Sequence, residues 1–212
     1  MTLGRLIVFE GIEGAGKTTQ IQQAHQWLSS TLSRSVLLTR EPGETPLGER
    51  LREVLLGDMA ISPTAELLLY AADRAQHVEH FIKPALAEGK IVLCDRFTDS
   101  TIAYQGYGRG LSLPIIDQLN RIAAPTVCSD LTLWLDVEVE TGLERMRQRG
   151  KADRMERADI QFHRRVQQGF ATLAQTEGNP MVRIDANLSE SQVWDQVRSV
   201  LHTQLSQWGM WE

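Results

Sequence analysis

The sequence predicts an α/β fold in three layers, a mostly parallel sheet between helices, entered through a phosphate-binding loop (P-loop). Short apolar runs at 6–10, 36–40, 91–95, 131–136 and 181–185 alternate with segments of three-to-four-residue apolar spacing at 65–86, 113–123, 139–149 and 193–205. Strands separated by helices require βαβ crossovers, which set the strands parallel. Gly11 to Thr18 reads Gly-Ile-Glu-Gly-Ala-Gly-Lys-Thr, a full match to the G-x-x-x-x-G-K-[ST] pattern. A chain of 212 residues with 42% hydrophobic content suits one compact domain over 1–212, with room for a mobile insertion.

The first run, Leu6-Ile7-Val8-Phe9, reads as a buried strand delivering the chain into the loop. A helix is expected to start just after Lys17, with its amino end at the same point. Glycines let consecutive N–H groups of Gly11, Ile12, Glu13, Gly14, Ala15, Gly16, Lys17, Thr18 and Thr19 turn toward a phosphate, and the helix dipole favours an anion there. Lys17 would reach the β- and γ-phosphates and the Thr18 hydroxyl would coordinate Mg²⁺. The chain is therefore expected to bind a nucleoside triphosphate. Several later runs end in charge, at Arg40, Asp95, Asp136 and Asp185, as does the first at Glu10. Ligands of open parallel sheets gather at the carboxyl ends of strands, so these are candidate site residues, although strand ends are also simply exposed. Pro42–Pro46 and Gly106–Gly110 carry loop signals.

Net charge of −5 argues against a broad nucleic-acid surface. Cys94 and Cys128 read as two buried free thiols in a reducing compartment. Gly4 and Arg5 interrupt any early apolar run, and no stretch reaches membrane-spanning length, so a cytoplasmic chain with no membrane partner is expected. His77 and His80 are assigned to the exposed side of a long helix, and Trp27, Trp134 and Trp194 to the core. Trp208 and Trp211 would dock on the body or fray.

Three clusters narrow the class of nucleotide-binding protein. They are Thr39-Arg40-Glu41-Pro42-Gly43, Asp95-Arg96 followed by Ala103-Tyr104-Gln105-Gly106, and an arginine-dense stretch with Arg145, Arg147, Arg149, Arg154 and Arg157. No guanine-reading [NT]-K-x-D sequence occurs. Together with Phe9 to Thr19 and the pairs Arg149-Gly150 and Asp153-Arg154, these clusters resemble bacterial thymidylate kinases over almost the whole chain.

The resemblance implies a five-stranded parallel sheet wrapped by helices, a homodimer, and transfer of the γ-phosphoryl of Mg·ATP to dTMP, giving dTDP and ADP for dTTP synthesis. It implies that Arg96 and Arg40 hold the acceptor phosphate and that Glu13 meets the sugar 3′-hydroxyl. Tyr70 would stack on the base and Arg74 would donate to its O4. Thr101 and Gln105 would line the base pocket, Tyr104 would crowd the 2′ position, and Asp95 would hold Mg²⁺ through water. Pro42 belongs to the same dTMP pocket, and Asp185-Ala186-Asn187 resembles the adenine-side loop. Glycine at Gly14, with arginines in a lid over about 147–157, places the chain in the subtype whose lid supplies the catalytic Arg149 and Arg154. Glu44 departs from the family, many of whose members have a second glycine after Pro-Gly.

The residues themselves leave alternatives. Arg40 has Glu41 and Glu44 as competing partners, and Arg96 has Asp95. Tyr70 and Arg74, four apart on one helix face, would also suit a core tyrosine and a surface arginine. The lid arginines would also suit a solvated helix face. A kinase with another acceptor and a non-catalytic nucleotide switch are the competing functions.

Overall fold

A computed structural model describes residues 4–150, 154–155 and 157–211, except the side chain of Arg149. The parts of the sequence reading that rest on Asp153 and on the Arg149 side chain lie outside the described residues. The expected strands form one parallel sheet in the order β2-β3-β1-β4-β5. They are β1 (Arg5–Glu10), β2 (Val36–Arg40), β3 (Ile91–Asp95), β4 (Leu131–Asp136) and β5 (Met181–Asp185). Alternation along β1 feeds two cores: Ile7 and Phe9 join one cluster, Leu6 and Val8 the other. Burial on both faces explains why the central run Leu6–Phe9 is continuously apolar.

Helices α1 (Lys17–Thr31), α2 (Pro46–Leu56) and α3 (Pro63–His77) precede α4 (Lys83–Ala87). Then follow α5 (Thr98–Thr101), α6 (Leu113–Ala123), α7 (Val139–Arg149), α8 (Ile160–Ala174) and α9 (Glu190–Gln207). The segment 65–86 is not one α-helix, because a π-helical turn, Val78–Ile82, joins α3 to α4. Pro84 lacks an N–H, and just before it the Lys83 N–H reaches back to the Val78 carbonyl, widening the turn. Helices α2 and α8 had no place among the periodic segments. Each is fixed by a cap: Thr45 accepts from the Gly48 N–H, and Asp159 from the Phe162 N–H.

Several sequence expectations are corrected. Gly106 and Gly108 lie not in a loop but in a second π-helical turn, Ile102–Gly108. A Cβ on Gly108 would fall 2.7 Å from the Phe162 ring and 2.9 Å from Val166, so a bare Cα is needed where α8 crosses. Cys94 is buried but Cys128 is exposed, at the end of the connection between α6 and β4. His77 is fully buried, whereas His80 is exposed. Trp134 is core, but Trp27 and Trp194 are half-buried in an aromatic group at the edge. Trp211 docks there, 5.0 Å from Trp27 between ring centroids, and Arg5 lies over Trp208. Among the described residues, no helix is long and apolar enough to cross a membrane.

Candidate active site

A cavity of about 600 Å³ opens at the carboxyl ends of the strands. The P-loop from Glu13 to Thr19 lines one side, Glu41 and Pro42 follow β2, Asp95 ends β3 and Arg96 follows it. The register explains the convergence: Asp95 pairs with Phe9 on one side and Arg40 on the other, so three strand ends lie abreast. The Lys17 ammonium donates to the carbonyls of Gly11 (2.9 Å) and Ile12 (3.0 Å), leaving one of its three protons for a ligand. Burial, and then Arg96, pulls the Lys17 pKa down to about 8. Thr18 lines the same cavity.

Arg96 takes the left-handed conformation (φ 72°), uncommon for a residue with a Cβ and frequent where a site fixes a side chain. It pairs with Glu13 (2.9 Å), not with Asp95, and donates to the Ser100 hydroxyl (3.1 Å) while lying over the Tyr104 ring. The Tyr104 hydroxyl donates to Glu13 at 2.7 Å. Burial alone would raise the Glu13 pKa, but Arg96, His163, Lys17 and Tyr104 hold the carboxyl well below the usual range. Asp95 lines the cavity, and its buried Oδ1 has no hydrogen-bond partner. Glu10 plays a different part: its buried carboxylate accepts from the Phe97 and Ser100 N–H groups and the Ser100 hydroxyl, tying α5 to β1. Burial raises its pKa to about 7. Asp136 and Asp185 are likewise engaged in local bonds, Asp136 with Arg183 and Gln167 and Asp185 with Asn187.

Tyr70, Arg74, Thr101, Tyr104 and Gln105 line the far end of the cavity. Arg74 is not a surface residue. Its guanidinium donates to Glu41 (2.8 Å), Thr101 (2.9 Å), Asn120 (2.7 Å) and the Phe97 carbonyl (2.9 Å), leaving one of its five N–H groups. Behind it, His77 contacts Glu41 (3.0 Å) and Thr39 (2.6 Å), so β2 and α3 share one buried polar chain.

The loop after β2 separates its two arginines. Arg40 points outward and pairs with Glu49, taking neither Glu41 nor Glu44. Arg52, absent from the sequence reading, lines the cavity and donates to the Pro42 carbonyl at 2.8 Å. Its signal lay in spacing: Arg52 is four residues after Gly48 and three before Leu55, the buried residues of α2. Glu44 has φ 70°, the backbone region glycine tolerates best. The arginine-dense stretch is dispersed. Arg145 lines the cavity and donates to the Ala186 carbonyl, while Arg147 is exposed beside Glu144. Arg157 pairs with Asp58, and Arg154 reaches the Leu55 carbonyl and the buried Glu66. Other residues missed in the sequence are Glu66 and Asn120, polar side chains in otherwise ordinary helical patterns, Arg109 in the stretch read as a loop, and His163 on α8.

The sequence profile of the family described as "Thymidylate kinase" matches residues 9–197. This chain belongs to the thymidylate kinase family. A Cyanothece sp. protein named thymidylate kinase is 54% identical over 225 residues, covering 97% of this chain and 96% of its own length. One from Nostoc punctiforme is 56% identical over 206 residues, covering 95% and 97%. The crystal structure of a thymidylate kinase from Ehrlichia chaffeensis superposes with a TM-score of 0.77 at 38% identity, over 93% of this chain and 98% of that one. The family's P-loop kinase architecture accounts for the sheet order and for the position of the Gly11–Thr18 loop between β1 and α1.

Proposed function

We infer that this protein transfers the γ-phosphoryl group of ATP to dTMP, yielding dTDP and ADP. The observation that carries this reading is that one cavity joins a triphosphate cradle to a separate pocket suited to a pyrimidine nucleotide. Phosphoryl transfer needs two anionic substrates held in line, with charge neutralised as the bond breaks. Lys17 and the loop N–H groups hold the donor, while Arg96 stands between loop and pocket, where the acceptor phosphate would lie. Glu13, held ionised, accepts the sugar 3′-hydroxyl. Tyr70 offers a ring face to the base, Arg74 its remaining N–H to O4, and Gln105 its amide oxygen to N3–H. Tyr104 fills the space beside the sugar, and Thr101 supports Arg74.

Thr18 and the unpartnered Oδ1 of Asp95 suit a hard cation such as Mg²⁺, which takes one or two protein oxygens and completes its shell with water and phosphate. When bound, it would neutralise charge on the β- and γ-phosphates. We assign the whole chain, 1–212, to one kinase domain with a lid at 147–157. Arg149 and Arg154 are its candidate catalytic arginines, and closure would exclude water. Arg40 and Pro42 complete the acceptor loop, with Arg52 beside them. A homodimer is supported by three large apolar side chains left more than half exposed, Leu68 on α3 and Ile115 and Ile122 on α6. The cytoplasm is the proposed site of action.

The test is ADP production from Mg·ATP with dTMP, dUMP, UMP, CMP and AMP offered separately. Strong turnover with dTMP and weaker turnover with dUMP is expected, because the thymine methyl contributes only about 1–3 kcal/mol. Preference for another monophosphate would overturn the roles of Tyr70, Arg74 and Gln105.

A further inference from the structure

Gln105 is the only amide side chain among the described residues lining the base end of the cavity, and an amide can face a base either way round. Its orientation is decided from behind. Glu66, on α3, is fully buried and outside the cavity wall. Its Oε1 accepts from the Gln105 amide nitrogen at 2.8 Å. An ionised carboxylate only accepts hydrogen bonds, so only the NH₂ end of Gln105 has a favourable contact there. Reversal would set two oxygens face to face in a buried site, with no donor between them.

Two further groups keep Glu66 ionised and fixed. Arg109 forks onto both carboxylate oxygens (3.2 Å each), and its guanidinium rests over the Phe162 ring. Arg154 pairs with Oε2 at 2.6 Å. Burial raises the pKa of Glu66, but the bonds from Arg109, Gln105 and Arg154 outweigh it, and the net shift is downward.

We propose that Glu66 is a specificity-determining positioning residue: by locking the Gln105 amide with its oxygen toward the cavity, it selects a pyrimidine carrying a proton on N3 over one carrying a lone pair there. This rests on the dTMP reading above. Thymine and uracil carry that proton, and cytosine does not. Glu66 lies outside the cavity wall and acts on the choice of base through Gln105; its pairing with Arg154 bears on both pyrimidines alike.

The experiment compares kcat/KM for dTMP and dCMP in the full-length protein and in Glu66→Gln. The amide introduced by that substitution can donate as well as accept, so Gln105 becomes free to reverse. The dTMP/dCMP ratio should fall by at least about tenfold, the scale on which a site built around one hydrogen bond discriminates. It should not reach unity, because Arg74 still opposes the cytosine amino group. In a Gln105→Leu background, adding Glu66→Gln should leave the ratio unchanged. A ratio within about twofold of the parent protein, whatever the loss of thermal stability, would overturn the proposal and leave Glu66 a structural ion-pair partner.

If Glu66→Gln does not fold, NMR on the unaltered protein decides the matter. The Gln105 side-chain NH₂ protons should exchange slowly with water and keep their chemical shifts when dTMP binds. Fast exchange, or a shift showing that the NH₂ turns to the base, would overturn it. Absence of dTMP turnover in the unaltered protein would instead overturn the acceptor assignment beneath it.

Discussion

The Glu41→Gln substitution tests whether the buried polar chain behind the cavity is needed to hold Arg74. Arg74 and Glu41 are 2% and 3% exposed and 2.8 Å apart. Removing one partner of such a pair strands a charge in the interior and typically costs about 3–5 kcal/mol. The new amide oxygen would still accept from the Arg74 Nε–H, and the bonds to Thr101, Asn120 and the Phe97 carbonyl would survive. Asp73 offers further compensation: burial, and then the Glu41 charge, pushes its pKa up to about 6, and the substitution removes the second cause. These effects place the loss near the lower end, about 3 kcal/mol. At about 2–4 °C per kcal/mol for a chain of this size, the melting temperature should fall by about 6–12 °C. The released guanidinium should also raise KM for dTMP more than it lowers kcat, because the role proposed for it is to bind the base. Calorimetry without substrate and initial rates against dTMP measure the two effects. A melting shift below about 2 °C with unchanged KM would refute the reasoning, since it would mean that Arg74 is held adequately by neutral acceptors alone.

Lys17→Ala should lower kcat by at least about 10²-fold while the protein still melts cooperatively, because the role proposed for its ammonium is on the transferring phosphates; near-normal turnover would remove Lys17 from the site. Tyr104→Ala should raise the UMP/dUMP ratio of kcat/KM by about tenfold or more. An unchanged ratio would discard the ring as the gate against a 2′-hydroxyl. Asp99→Asn should be stabilising, with a definite pH dependence. Burial raises the Asp99 pKa from 3.8 to about 6, so the folded chain retains a proton that the unfolded chain loses, and stability falls as the pH rises through that interval. Asparagine removes the deficit. Chemical denaturation should show a gain of up to about 3 kcal/mol at pH 7.5 and none near pH 4. A gain of equal size at both pH values would refute burial of the charge as its cause.

Much of this fold was legible because its strands are buried on both faces. Apolar runs such as Leu6–Phe9 and Leu131–Leu135, the second broken only by Thr132, are buried along their whole length. Helix α8 was less legible: its buried residues include His163 and Gly169, which weaken an apolar count, and only the Asp159 cap marks its start. The same weakness hid α2, where Gly48 and Leu55 are the buried positions among charged neighbours. His77 was misplaced because periodicity assigns a histidine to a helix face without saying what packs there. Glu41, just after β2, and Thr39, within it, supply its buried partners across 36 and 38 residues of sequence.

The sequence by itself determined the P-loop, since Gly11–Thr18 completes its pattern within eight consecutive residues between one strand and one helix. It also determined the pairing of Tyr70 with Arg74 and of Thr101 with Gln105, because helical spacing places each pair on one side. Only the tertiary structure decided which charges face the cavity and which are spent elsewhere. Arg40 turns outward to Glu49 while Arg52 turns inward, and Arg154 reaches Glu66 across 88 positions of chain. The physical reason is that a charge is stabilised by the nearest group able to hydrogen-bond it in a low-dielectric interior, and nearness there is set by packing rather than by position along the chain.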